Sequence, residues 1–383
     1  MCDILKHTTM KTGDKTMKKI HRTLSLFTVA AMCAALLCSC GAVSDSSQTD
    51  SSSKAATTTT ADTTADTTTA GEESSTASAA SALDSSVSDS SSAVTDDTKT
   101  NGITPAMWKV TSPEGNTMVM LGSFHALKDE CYPLPEAITN AYNNADILAV
   151  ECDITSTSED GEYMKNLMKQ MLYNDNTKLS QHISEEAYSA LQTYLGYWGM
   201  DISALEVYRP WAVSSTLDTL LIQDADFDSE KGLDNYLLTT AHADGKEIYE
   251  VESVDFQMNL LINFSDDIYD LMFRSFEGET KESQKQALED LYTAWKSGDI
   301  ETFLEEDNEE ELAGYTEEDK KIAEDYNNQM LYDRNKNMAK AAEDLMSQGK
   351  NVFYVVGAAH YAGEGGIIDL LEKDGYTAER VQY

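Results

Sequence analysis

The sequence predicts an α/β protein: a central, mostly parallel sheet built from two pseudo-symmetric units, with a large helical insertion. Three observations carry that expectation. Continuous apolar runs of strand length stand at residues 117–121, 147–150 and 352–356, and strands buried on both faces of a parallel sheet have this pattern. Two of these runs stop alike, in Gly122-Ser-Phe-His125 and in Gly357-Ala-Ala-His360. Each is followed by a helical pattern and another strand, so the outline strand, GxxH, helix, strand occurs twice.

Taken in order, residues 107–112 read as a strand and Pro113-Glu-Gly-Asn116 as a turn into the first histidine strand, a hairpin at the sheet edge. Residues 134–142 suit a helix with proline in its first turn. Residues 147–153, Ile-Leu-Ala-Val-Glu-Cys-Asp, form the next strand. At a period of two, Glu151 and Asp153 share one face and Cys152 takes the other. A right-handed crossover makes this strand parallel to the one before it. Helices then follow, one capped by Ser184, one opened by Arg209-Pro-Trp211 and one closed by Asp244-Gly245. A strand at 246–251 comes next, and helical spacing continues to residue 346. Beyond the second GxxH lie a glycine-containing loop at 363–366, a helix over 367–373 and a last strand over 377–382.

The N-terminal part predicts an address rather than a fold. Lys18-Lys-Ile-His-Arg22 precedes an almost wholly apolar stretch from Leu24 to Leu37, the order of a secretory signal and short for a membrane span. It ends in Leu37-Cys-Ser-Cys-Gly41, which resembles a bacterial lipobox; Cys40 is the better lipidation site because the small Ser39 precedes it. Residues 17–40 are expected to be a lipoprotein signal peptide. Met17-Lys-Lys reads as a natural start, which leaves residues 1–16 as a candidate upstream over-extension. Residues 41–103, rich in Ser, Thr, Ala and Asp, hold too little apolar surface to repay the entropy of ordering. They are expected to be a disordered tether, though a mucin-like stalk has a similar composition. The folded domain is expected at 104–383, extracytoplasmic and lipid-anchored to the bacterial cell membrane.

With 28 Lys and Arg against 67 Asp and Glu, the chain carries a formal charge of −39. Nucleic acid is not an expected partner for such a surface, because binding it depends on cations that displace counterions. Of six cysteines only Cys131 and Cys152 fall in the domain. They read as either a disulfide or two core thiols.

Four histidines lie in the domain: His125, His182, His242 and His360. His182 and His242 sit in polar stretches beside helices and read as structural. His125 and His360 share a local context, and in open α/β sheets ligands bind beyond the carboxyl ends of the strands. Neutral imidazole is both a common metal ligand and a common general base. A carboxylate at a neighbouring strand tip, such as Glu151, completes a two-histidine, one-carboxylate set with positions open to water.

From Ala106 onward the chain carries, in order, Leu121-Gly-Ser-Phe-His125, Val150-Glu-Cys-Asp153, Lys231-Gly-Leu-Asp234, Glu250-Val-Glu-Ser253 with Gln257, Asp333-Arg-Asn335 and Val356-Gly-Ala-Ala-His360. This succession resembles the TraB/GumN family, which includes PrgY and the animal TIKI proteins. The resemblance implies a fold related to erythromycin-esterase-like and ChaN-like proteins. It also implies a metal-dependent peptidase. TIKI members use divalent manganese or cobalt and require both GxxH histidines and a glutamate, which carry over to His125, His360 and Glu151. Arg334 matches the family's arginine; it is expected to bind an oxyanion or substrate carboxylate, the competing reading being a helix-surface salt bridge. Asp153, Asp234, Glu252 and Gln257 are expected to support the ligands. PrgY-like and TraB-like members limit a peptide pheromone signal, so a peptide is the expected substrate. Two alternatives stand beside this reading: a metal-independent, histidine-based esterase-type hydrolase, and a peptide-sequestering protein without turnover.

Overall fold

A computed structural model of the chain describes residues 101–155, 160–304 and 315–383. The signal peptide, Cys40 and all of the expected tether up to residue 100 lie outside them.

Strand β1 (Met107–Thr111) turns into β2 (Thr117–Ser123) as an antiparallel hairpin, with Thr111 opposite Thr117. The turn is made by Ser112, whose Oγ accepts the N–H groups of Glu114 and Asn116, and by Gly115 at φ +91°. Helix α1 (Glu136–Asn144) leads to β3 (Ile147–Val150), whose four residues are all buried. Helices α2 (Gly161–Gln170), α3 (Glu185–Gly196), α4 (Pro210–Asp224) and α5 (Leu233–Asp244) follow, then β4 (Glu247–Glu250). Their ends obey the expected chemistry. Ser184 Oγ accepts the Ala187 N–H, Pro210 opens α4, and Gly245 closes α5 in the left-handed region at φ 66°. After β4 come α6 (Val254–Ile262), α7 (Asp266–Arg274), α8 (Lys281–Ser297), α9 (Glu317–Asn327) and α10 (Asp333–Met346). A π turn, Asn328–Tyr332, joins the last two. Strand β5 (Val352–Gly357), helix α11 (Ile367–Lys373) and β6 (Thr377–Arg380) complete the chain.

These strands form one mixed six-stranded sheet in the order β4-β3-β5-β2-β1-β6. Strands β4, β3, β5 and β2 are mutually parallel, whereas β1 is antiparallel to both β2 and β6. The expected α/β class is observed, with two departures. The hairpin is not at the sheet edge, because β6 pairs with β1 and covers it; Trp108 stacks on Tyr361 at 5.0 Å and lies under the Arg380 guanidinium at 4.8 Å. The two repeated units are interleaved rather than side by side: β5 lies between β2 and β3, and β2 and β1 lie between β5 and β6. The strand expected at 246–251 is observed as β4, which returns to the sheet between α5 and α6. Interleaving has one consequence for function. It makes β2 and β5, the two GxxH strands, immediate neighbours, with Ser123 opposite Gly357.

Cys131 and Cys152 are both free and buried. Cys131 Sγ lies 3.0 Å from Tyr292 Oη, and Cys152 Sγ–H donates to Gln257 Oε1 at 3.3 Å. They are core thiols.

Candidate active site

Because β2 and β5 are parallel neighbours, both GxxH segments leave the sheet at the same edge. Strand β3, on the far side of β5, delivers Glu151 there as well. Gly357 marks the meeting point. A methyl group on it would lie 3.1 Å from Glu151 Oε1, 3.4 Å from His125 Nε2 and 3.6 Å from His360 Cδ2. The missing side chain therefore leaves open the space that these three residues border. The first motif's glycine serves differently: a methyl on Gly122 would press on Ala358 Cα at 3.0 Å, so it permits close backbone packing.

Each of the three side chains is held from behind. His360 Nδ1 lies 2.6 Å from Asn335 Oδ1, and its Nε2 is 3.8 Å from Glu151 Oε1. His125 Nδ1 lies 2.8 Å from Asp234 Oδ2, while Asp234 Oδ1 accepts the Ser123 hydroxyl at 2.7 Å. The chain at Lys231-Gly-Leu-Asp234 makes that reach possible. Leu233 N–H donates to Phe124 O at 3.1 Å, and a methyl on Gly232 would collide with the His125 carbonyl oxygen at 2.0 Å. Glu151 Oε1 accepts the Gly357 N–H at 2.7 Å; Oε2 accepts Gln257 Nε2 at 2.9 Å and Arg334 Nη2 at 2.6 Å.

Arg334 is sunk beneath the site with its side chain only 7% exposed. Its Nε and Nη2 donate to Glu252 at 2.9 and 2.8 Å, Nη2 also donates to Glu151, and Nη1 donates to Met330 O at 3.1 Å. A guanidinium has five N–H donors, so these contacts leave one. The competing helix-surface salt bridge does not describe it. Its position is that of a clamp on Glu151.

The electrostatics follow from these contacts. Burial works against a charged Glu151, but the Arg334 charge above all, with His125 and the Gly357 N–H, outweighs it and holds the carboxyl well below the usual carboxylate range. Burial, reinforced by the Arg334 charge, pushes His360 down to about 3, so its ring is neutral. For His125 burial also opposes charging, yet the charge and hydrogen bond of Asp234, with Glu151 behind, raise it to about 9. The His125 side chain is 42% exposed, so solvent screens part of that attraction. It is also the one member of the three open to solvent, since Glu151 and His360 are buried.

Most residues expected to support the site gather there. Asp234 orients His125, while Gln257 bridges Glu151 and Glu252, the latter at 2.6 Å. Asp153 does not join them. Strand pairing ends at Val150, so the period of two no longer governs residues 151–153. Asp153 instead bonds His242 Nε2 at 2.8 Å and accepts from Thr155 Oγ1 at 2.6 Å. His182 bonds Asp266 at 2.8 Å and Thr177 at 2.9 Å, in keeping with a structural role. Asn335 and Ser123 were not singled out from the sequence. Their only signal was adjacency to Arg334 and to Gly122 within the motifs.

Among the described residues no three His, Cys, Asp or Glu side chains stand close enough to form a metal cluster as they are placed. The donor set fits a divalent ion in kind. It offers two imidazoles, each bonded through Nδ1 to a second side chain, and one oxygen of a carboxylate. The 3.8 Å between His360 Nε2 and Glu151 Oε1 is a few tenths wider than the roughly 3.0–3.4 Å between donors on one ion at about 2.1 Å.

On this mixed α/β sheet, adjacent parallel strands present two imidazoles beside a clamped glutamate, a histidine–carboxylate site at the strand ends. Residues 106–380 match the TraB/PrgY/gumN family, and the chain belongs to it. It is similar to the metalloprotease TIKI homolog of Nematostella vectensis, with 25% identity over 293 residues, 65% of this chain and 61% of that protein. Metalloprotease TIKI1 of Xenopus tropicalis is 23% identical over 289 residues, covering 63% and 55%. Protein YbaP of Escherichia coli is 26% identical over 157 residues, covering 41% and 56%. The chain thus spans less than two thirds of the length of these relatives. No solved structure matches it.

Proposed function

We propose that this protein is a divalent-metal-dependent hydrolase that cleaves peptides. One observation carries the reading: His125, Glu151 and His360, distant in sequence, border one space beside Gly357. A bound manganese or cobalt ion, held by His125 Nε2, His360 Nε2 and Glu151 Oε1, would supply Lewis acidity and a water of lowered pKa. The chain's own residues do the rest. Asp234 and Asn335 aim the two imidazoles, and Arg334, Gln257 and the Gly357 N–H fix the Glu151 carboxylate in one orientation. Glu252 accepts from Nε and Nη2 of Arg334, so the two buried carboxylates share its single positive charge and the guanidinium stays in place against Glu151. Substrate approaches over the exposed edge of His125. The names of the TIKI relatives support the peptide substrate and the metal. The N-terminal sequence supports lipidation at Cys40, with residues 41–103 spacing the domain from a bacterial membrane.

The His125–Asp234 pair supports a second reading, in which His125, once it has lost the proton that Asp234 stabilises, is a general base without metal, as in an esterase-type hydrolase. A digest of a peptide library separates the readings. Manganese-loaded protein is expected to cleave, and a chelator is expected to abolish cleavage reversibly. Cleavage indifferent to chelator would select the metal-free hydrolase, and no cleavage in either arm would select the sequestering protein.

A further inference from the structure

Resting on the site proposed above, we infer that Asn335 is a positioning residue that fixes the tautomer of His360 and thereby turns an unprotonated Nε2 into the cleft. The argument runs through a third group. A carboxamide can present either its oxygen or its NH2 to an imidazole, and the two choices impose opposite tautomers. Here the choice is settled by Gly365. Its carbonyl oxygen only accepts, and it takes a hydrogen bond from Asn335 Nδ2 at 2.9 Å. The Asn335 oxygen therefore faces His360, 2.6 Å from Nδ1. An oxygen there requires the proton on Nδ1. The lone pair then resides on Nε2, which stands 3.8 Å from Glu151 Oε1. Asn335 is 1% exposed and His360 4% exposed, so the bond between them is buried away from water.

The placement on the chain supports this role. Arg334 and Asn335 are consecutive on α10, yet each reaches a different member of the site: Arg334 holds Glu151 and Asn335 holds His360. The π turn Asn328–Tyr332 ends two residues before Arg334, and such single π turns occur frequently at functional sites. Gly365 itself is pinned by Asp369, whose Oδ2 accepts its N–H at 2.7 Å; its φ of +79° favours glycine, and a Cβ there would press on the Tyr332 ring at 3.1 Å. The glycine-containing loop after the second GxxH is thus a fixed anchor for the amide.

The side-chain nitrogen signals of 15N-histidine-labelled, metal-free protein test this inference, with His360 assigned by its loss in His360→Gln. The wild-type ring is expected to carry its proton on Nδ1. In Asn335→Leu, which keeps the volume and removes both hydrogen bonds, the Nδ1-protonated form should fall to a minority. In Asn335→Asp, which keeps an acceptor and loses the donor to Gly365, Nδ1 should remain protonated. Should the leucine variant not fold cooperatively, Asn335→Ala gives the same reading. Retention of the Nδ1 proton in the leucine or alanine variant would overturn the inference. So would its loss in the aspartate variant, because the tie to Gly365 would then be the agent. Manganese affinity should fall roughly 10–100-fold in Asn335→Leu. If the wild type takes up no manganese, the proposed function fails, while the nitrogen signals still decide the role of Asn335.

Discussion

Glu151→Ala is expected to destabilise the folded protein by about 3 kcal/mol, the lower end of what breaking a buried ion pair costs. Glu151 satisfies three donors from three different elements: Arg334 on α10, Gln257 on α6 and the Gly357 N–H at the end of β5. Alanine leaves the guanidinium, 7% exposed, with Glu252 alone and strands the Gly357 amide without an acceptor. That Glu252 keeps hold of Arg334 is why the cost stays at the lower end. Glu151→Gln keeps the shape and one acceptor, and should cost roughly half as much. Urea unfolding midpoints of the two variants beside wild type measure this. Equal stability of the alanine variant and wild type would mean that Glu151 is not the hub of the network.

His360→Ala is expected to lower peptide turnover by roughly 10²–10⁴-fold while unfolding stays cooperative. The ring is buried but makes one hydrogen bond, to Asn335, and carries no charge that another group must balance. Its removal therefore costs packing and one bond, not a network. His125→Ala should lose turnover similarly with less effect on stability, because its side chain is 42% exposed. Turnover unchanged in His360→Ala would refute its place in the reaction.

Much of this architecture was legible in the residues. Strands β2, β3 and β5 are continuous apolar runs, and helix ends at Ser184, Pro210 and Gly245 are marked by residues whose backbone chemistry leaves little choice. Strand order was not legible. Whether β5 sits beside β2 or beyond it is decided by pairing between distant segments, for which neither run carries a local signal. The same limit explains Asp153. Alternation predicts a shared face with Glu151 only while pairing lasts, and it stops at Val150. At the site, His125, His360 and Glu151 were legible because glycine, histidine and acid cluster at strand ends. The burden on Arg334 was not, since a cation on a helix does not reveal which carboxylates come to meet it. Asn335 was less visible still: a neutral amide in a helix has no periodicity of its own, and its meaning arises only from Gly365 and His360 on either side.

The central claim is that His125, Glu151 and His360 act together on one ion. Metal content of the purified full chain, after loading with manganese and removal of excess, tests it most directly. One ion per chain in the wild type and none in the His125→Ala, His360→Ala double variant is the predicted result. A wild type that retains no stoichiometric ion, or a double variant that retains it fully, would contradict the account.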